Sequence, residues 1–259
     1  MGKSSRRLEL IALDGYPLVE PGDNVAAQII QALTSNDLSL EAGDVVAIAQ
    51  KIISKAEDRY CTLSDVEPNE DAKTLAKQVD KDPRLVQLIL DESNEVVRTR
   101  PGVLIVEHRL GLVHANAGID QSNIQTSDEQ PRALLLPLNP DASARELQNQ
   151  LFTATGKDVY VLINDSAGRA WRNGTSGIAI GSAGFETLED LIGGFDMFGN
   201  ELRVTTVGVA DELAAAASFM MGQAAEATPV VLIRGAQLTS SQTSGARDLV
   251  RDKQLDLFR

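Results

Sequence analysis

Strand-like and helical stretches alternate along this chain in a way that predicts an α+β protein with mixed sheets and surrounding helices. Three observations carry the prediction. Continuous apolar runs at 45–49, 159–163 and 230–233 read as buried strands, whereas apolar residues at helical spacing over 25–33 and 83–97 read as amphipathic helices. The two kinds follow no strict strand–helix–strand rhythm. The glycine fingerprints of doubly wound nucleotide-binding folds, G-x-x-x-x-G-K-[ST] and a strand-borne G-x-G-x-x-G, are absent, as is the G-x-S-x-G elbow of hydrolases.

In order, residues 8–13 make a first strand and Asp14-Gly15-Tyr16-Pro17-Leu18 the turn leaving it. Pro21-Gly22-Asp23 caps the helix over 25–33. Ala42-Gly43-Asp44 turns into the strand 45–49, which runs directly into Gln50-Lys51-Ile52-Ile53-Ser54-Lys55-Ala56-Glu57. Lys51 and Lys55 are either solvated edge charges, the usual fate of lysine, or point charges that hold phosphate oxygens. The buried run before them favours the second. Helices come next over 71–79 and 83–97, the latter started by Asp82-Pro83. Arg98-Thr99-Arg100-Pro101-Gly102 then turns the chain into strands at 103–106 and 110–113.

Residues 125–130 are polar loop and 133–136 a short strand. The helix 142–152 carries Asp141 and Glu146 in its first turns and ends at Gly156. After the strand 159–163, Asn173-Gly174-Thr175-Ser176-Gly177 reads as a flexible polar loop, and Asp196-Met197-Phe198-Gly199-Asn200 as a turn. A strand over 202–210 and an alanine-rich helix over 211–221 precede the last strand, 230–233. From Gly235 on, composition alone predicts a surface-draped or mobile tail. No repeat, low-complexity tract or biased linker divides the chain, so one domain spans 1–259, with room for two intermeshed subdomains.

Composition narrows the function. With 24 Lys and Arg against 37 acids the net charge is −13, which argues against a nucleic-acid groove. A polyphosphate held by such a protein needs local screening by metal ions and a few placed bases. One cysteine and two histidines make a structural zinc site or an internal disulfide untenable, and a reducing cytoplasm fits. The basic start, Met1-Gly2-Lys3-Ser4-Ser5-Arg6-Arg7, lacks a signal-peptide apolar region, and no apolar run approaches membrane-spanning length.

The chemistry concentrates in two segments. In His114-Ala115-Asn116-Ala117-Gly118-Ile119-Asp120-Gln121-Ser122-Asn123, small residues let the backbone pass close to something, and Asp120 and Asn123 supply oxygens just beyond a strand pair. Alone, this is most simply a polar turn capping a hairpin. A second segment on the same plan, Asn164-Asp165-Ser166-Ala167-Gly168-Arg169-Ala170-Trp171-Arg172, overturns that account. Two carboxylates at separate strand ends suggest one or two Mg²⁺ or Mn²⁺ ions, with Ser166 adding a hydroxyl oxygen. Arg169 and Arg172 either fork onto an anionic substrate or pair structurally. Trp171 reads as a packing residue, and His114 receives no role.

Several motifs closely resemble those of the coenzyme F-420-0: L-glutamate (gamma-glutamyl) ligases. These are Ala115 to Asn123, the run from Gln50 to Glu57, Asp82-Pro83-Arg84-Leu85, Val96-Val97-Arg98-Thr99-Arg100-Pro101-Gly102 and Val209-Ala210-Asp211-Glu212-Leu213-Ala214. The ending Asp256-Leu257-Phe258-Arg259 also matches, which implies that the tail belongs to the domain. The resemblance covers nearly the whole chain in its single-domain form, without the fused flavin-reductase-like domain of some members. It implies a GTP-dependent ligase that joins L-glutamate to the lactyl carboxylate of a deazaflavin precursor through an acyl phosphate. It further implies assistance by divalent ions and K⁺, and an intertwined homodimer.

Carried over by motif, Asp120 and Asp165 resemble metal ligands, with Ser166 in the place of a ligating threonine. Gln50, Lys51, Lys55, Asn123 and the turn Tyr16-Pro17-Leu18-Val19 resemble nucleotide contacts. Gln223 falls where the family has another metal or nucleotide contact, and Arg169 joins the two aspartates as a catalytic candidate. The family usually reads D-T-F-G-R-P-W-R-x-G-Q-T-D where this chain runs from Asp165 to Gly177. Ala167, Ala170, Thr175 and Gly177 therefore replace Phe, Pro, Gln and Asp. The metal and nucleotide half of the site is kept and the acceptor half altered, which leaves open a ligase for another acid or a non-catalytic nucleotide-binding paralogue.

Overall fold

The computed structural model describes residues 5–124, 126 and 130–257. Its elements run β1 (Glu9–Ala12), α1 (Val25–Ser35), β2 (Val45–Ala49), α2 (Gln50–Ala56), β3 (Tyr60–Thr62), α3 (Glu70–Val79), α4 (Pro83–Asp91), β4 (Ser93–Arg100), β5 (Val103–His108) and β6 (Val113–Ala115). They continue with β7 (Arg132–Leu134), α5 (Pro140–Thr155), β8 (Tyr160–Arg169), β9 (Arg172–Ala183), β10 (Glu189–Asp190), β11 (Thr206–Val207), α6 (Val209–Met221) and β12 (Val230–Arg234). The class is α+β with mixed sheets, as the sequence predicts.

A five-stranded sheet in the order β1-β12-β2-β8-β9 organises the molecule. All its neighbours are antiparallel except β2 and β8, which run parallel with Ala49 opposite Asn164. Both faces are covered, which is why β2 is apolar throughout rather than alternating. Val46 and Ile48 face α1 and α5 in one core cluster, while Val45 and Ala47 face α6 in the other. A third cluster joins α3 and α4 to Leu104 and Val106 of β5 and Ala133 of β7. There, β4-β5-β6 form an antiparallel sheet and β3 pairs with β7.

Several expected boundaries move. The helix expected over 83–97 ends at Asp91, and β4 takes over with a period of two, its Ser93, Glu95 and Val97 turned inward. The strand expected at 110–113 begins only at Val113, because the chain turns through Gly111 at φ 87°. Only Thr206 and Val207 of the expected strand 202–210 are strand, since Val209 already opens α6. Asn24, not Pro21-Gly22-Asp23, caps α1 by accepting from the Ala27 N–H. Residues 173–177 form part of β9, not a loop; a hairpin arm projecting into solvent needs no apolar face, so its polarity is uninformative.

The tail is held, not draped. Ser244 and Ala246 are buried, Thr187 donates its hydroxyl to the Gly245 carbonyl at 2.8 Å, and the Asp141 carboxylate accepts from the N–H groups of Ser182 and Ala246 at 2.9 and 2.8 Å. Phe258 and Arg259 lie outside the described residues, as do Met1 to Ser4 and most of the polar stretch 125–130.

Candidate active site

The parallel pairing of β2 and β8 builds the site, because it brings the carboxyl ends of both strands to one edge. There β2 becomes α2 without a break, presenting Gln50, Lys51 and, one turn on, Lys55. Beside them β8 carries Asn164 opposite Ala49 and then runs beyond the end of β2, paired with β9 alone, through Asp165 and Ser166.

The other wall comes from the smaller sheet. After β6 the backbone makes a left-handed turn at Asn116, Ala117 and Gly118, with φ 54°, 55° and 66°. Gly118 is required there, since a Cβ would sit 2.8 Å from His114 Cε1 and 2.9 Å from Leu136 Cδ1. The turn delivers Asp120, whose N–H and carbonyl both bond Leu134 at 2.9 and 2.8 Å. So fixed, the Asp120 carboxylate meets Lys51 Nζ at 2.5 Å. Lys55 Nζ donates to the Asn123 carbonyl at 2.8 Å, and the Asn123 amide to the Ala224 carbonyl at 3.3 Å.

Between these walls lies a cavity of about 570 Å³, lined by Tyr16, Pro17, Leu18 and Val19, by Gln50, Lys51, Lys55 and Asn123, and by Asp165, Ser166 and Gln223. Asp120 reaches it through Lys51. The Ser166 hydroxyl donates to Gln223 Oε1 at 2.8 Å, and Gln223 Nε2 donates to Ser218 Oγ at 3.0 Å, so α6 orients the glutamine. Gln50 is buried and accepts from the Ser54 hydroxyl at 2.9 Å.

Arg169 stands apart. It is exposed near the tip of the β8–β9 hairpin and donates to the Asn173 carbonyl at 3.1 Å, outside the cavity lining and, among the described residues, away from the two aspartates.

Charge in the site is unevenly compensated. Burial pushes the Asp165 carboxyl up to about 6; Asp120 adds to the rise, while the Ser166 N–H and the Lys51 ammonium oppose it. Burial would also raise Asp120, but the Lys51 ammonium and the Ser122 N–H outweigh it and hold that carboxyl below its ordinary range. Burial, with Lys51 nearby, lowers the Lys55 ammonium. Among the described residues Asp165 forms no ion pair, although Asp120 does.

That imbalance fits a hard cation. The oxygens of Asp120, Asp165, Ser166 and Gln223 are the donor type that Mg²⁺ or Mn²⁺ takes, with remaining positions left to water and phosphate. Among the described residues no group of three or more His, Cys, Asp and Glu is placed to hold a metal ion.

Two lining groups escape a reading of the sequence. Asn164, only 4 % exposed, has no hydrogen-bond partner at Oδ1; its place just before Asp165 was the available signal. Arg132 and Tyr60 come from the short β7–β3 pair, whose contact nothing local announces.

A cavity lined by Lys51, Lys55 and Arg132 together with Glu20, Asp165 and Glu226 has the mixed charge of a small-molecule site, not the basic track that a nucleic-acid backbone needs. The chain belongs to the F420-0:Gamma-glutamyl ligase family, whose model matches residues 15–235. Similar proteins named coenzyme F420:L-glutamate ligase occur in Methanothermobacter thermautotrophicus, 42 % identical over 97 % of this chain and 99 % of the relative. One from Methanopyrus kandleri is 42 % identical over 100 % of this chain and 99 % of the relative. One from Methanocaldococcus jannaschii is 41 % identical over the full length of both.

Proposed function

We propose that this protein is a GTP-dependent ligase that joins L-glutamate by an amide bond to the lactyl carboxylate of a coenzyme F-420 precursor. The observation that carries the reading is one cavity that gathers distant stretches of chain, Tyr16 to Val19, Gln50 to Lys55, Asn123, Asp165 with Ser166, and Gln223, with Asp120 behind Lys51. The names of the full-length relatives supply the substrates.

In this reading an acceptor carboxylate oxygen attacks the γ-phosphorus of GTP, and GDP leaves with the bond to its β-phosphate oxygen. The product is an acyl phosphate. The glutamate amine then attacks the acyl carbon, loses a proton, and inorganic phosphate departs. Lys51, Lys55, Gln50 and Asn123 hold the nucleotide, and Tyr16 to Val19 wall it from solvent. Asp120, Asp165, Ser166 and Gln223 would hold divalent Mg²⁺ or Mn²⁺, which screens phosphate charge when bound. K⁺ is a further expected activator, to which no residue is assigned. The exposed Ile192, Phe195, Met197, Phe198 and Val204 on the segment 188–207 give an apolar surface suited to a second copy, in keeping with a homodimer. Among the described residues no helix is long and apolar enough to cross a membrane. With the low cysteine count, that is consistent with the cytoplasm.

Incubation with GTP, Mn²⁺, K⁺, L-glutamate and the deazaflavin acceptor should give GDP, phosphate and a product heavier by one glutamyl residue, read by mass spectrometry. GTP turnover with a different acid would favour a divergent carboxylate–amine ligase. A GTP-raised melting temperature with no turnover would favour a non-catalytic paralogue. The altered hairpin keeps these alternatives in play: at Gly177 a Cβ would press on the Ala214 carbonyl and lie 2.6 Å from Asn164 Oδ1, so α6 fills the space an aspartate would need.

A further inference from the structure

The cavity holds a cation outside the two lysines. Arg132 and Tyr60 sit on diagonally paired positions of β7 and β3, where Tyr60 faces Leu134 and Thr62 faces Arg132. Their side chains therefore share one face, and the guanidinium carbon lies 3.8 Å from the centre of the Tyr60 ring. Both residues line the cavity, beside Lys55 and Asn123. Among the described residues no carboxylate pairs with Arg132, in contrast to Arg59, Arg84, Arg109 and Arg234, each of which has one.

Stacking uses one face of the guanidinium and leaves its in-plane donors unspent. Those donors form a planar fork that matches two oxygens of a phosphate, and a ring beneath it fixes the plane so that little freedom is lost on binding. Lys55, in the same cavity lining, donates to the Asn123 carbonyl. Among the described residues neither cation has a carboxylate within ion-pair distance, although Glu20 lines the same cavity and acts on Lys55 through space.

We propose that Arg132, held flat on Tyr60, is a phosphate-binding residue of this cavity. The inference rests on the ligase reading only for the source of the phosphate, which is the nucleoside triphosphate or an anionic group of the acceptor.

The test uses purified full-length protein, wild type against Arg132→Gln, Arg132→Lys and Tyr60→Leu. Calorimetric titration with inorganic tripolyphosphate should show binding weakened tenfold or more by Arg132→Gln. Arg132→Lys, which keeps the charge but not the fork, and Tyr60→Leu, which removes the platform, should fall between. A purely structural arginine would lower the melting temperature without making the affinity difference salt-dependent. Here the gap between wild type and Arg132→Gln should shrink as NaCl is raised. In turnover, a raised KM for GTP assigns the site to the nucleotide, and a raised KM for the acceptor assigns it to an anionic group of the acceptor. Unchanged tripolyphosphate affinity in Arg132→Gln overturns the inference even if the wild type is an active ligase. Arginine-dependent tripolyphosphate binding in a wild type with no ligase activity leaves it standing while the ligase reading fails.

Discussion

Asp165 is the carboxylate most at odds with its surroundings, and replacing it by asparagine should stabilise the metal-free protein while abolishing turnover. Burial moves its pKa from 3.8 to about 6. A rise of roughly two units is worth at most about 3 kcal/mol, and about 2 kcal/mol is the better expectation because the carboxylate looks onto an open cavity. The raised value means that the folded state binds the proton more tightly than the unfolded state. The penalty is therefore absent below the unfolded pKa, grows as pH climbs from about 4 to 6, and is complete above that. Asp165→Asn never carries the charge and escapes it. In EDTA at pH 7.5, calorimetry should place its melting temperature several degrees above wild type, at roughly 2–4 °C per kcal/mol for a chain of this size. At pH 4 the two should coincide. Added Mn²⁺ should then raise wild type and leave Asp165→Asn unmoved. A variant less stable than wild type at pH 7.5, or a gap that does not close on acidification, refutes this account of the site's electrostatics.

On the proposed reading, Asp120→Ala should cut turnover at least a hundredfold, read as GDP release, because it removes one of the proposed metal ligands and the ion-pair partner of Lys51. Ser218→Ala should raise the Mn²⁺ concentration needed for half-maximal activity several-fold, whereas Ser218→Thr keeps the hydroxyl that fixes Gln223 and should not. Gly177→Asp should lower the melting temperature by several degrees, since its Cβ would lie 2.6 Å from both Asn164 Oδ1 and Ser218 Cβ. Asp44→Asn should destabilise by about 3 kcal/mol in urea unfolding, because Asp44 is 2 % exposed and takes Arg234 at 2.9 and 2.7 Å.

How much of the fold is legible in the sequence tracks how local the determining force is. β2 and the carboxyl end of α4's apolar stripe illustrate the contrast. Five consecutive apolar residues between a Gly-Asp turn and a polar run admit one reading, and β2 has the expected bounds. The stripe Leu85 to Leu90 is equally clear, yet the chain beyond Asp91 is strand rather than helix because Val96 pairs with Val106 of β5, a partner ten residues away. The hairpin of β8 and β9 escapes the sequence for the opposite reason. Asn173, Gly174, Ser176 and Gly177 carry no strand signal, the β-branched Thr175 among them is too little to mark a strand, and the segment is held by its register, Thr175 against Gly168 and Ser176 against Ala167.

The site obeys the same logic one level up. Asp120 and Asp165 can be singled out because each ends an apolar strand in a short run of small and oxygen-bearing residues, a pattern visible without a partner. Their company cannot. Lys51 reaches Asp120 only because β2 passes straight into α2 beside β8, and because the left-handed turn at Asn116 to Gly118 aims the other strand back across Leu134. Arg132 is the sharper case. As a lone basic residue that follows Pro131 and opens a three-residue strand it has no helical or strand periodicity to mark it, and its meaning comes from a diagonal pair with Tyr60, seventy-two residues earlier. Residues that supply charge to a reaction can thus be read from their own neighbourhoods. Residues that shape where a ligand's charge must lie are set by pairings between distant strands, and those become visible only once the fold is in hand.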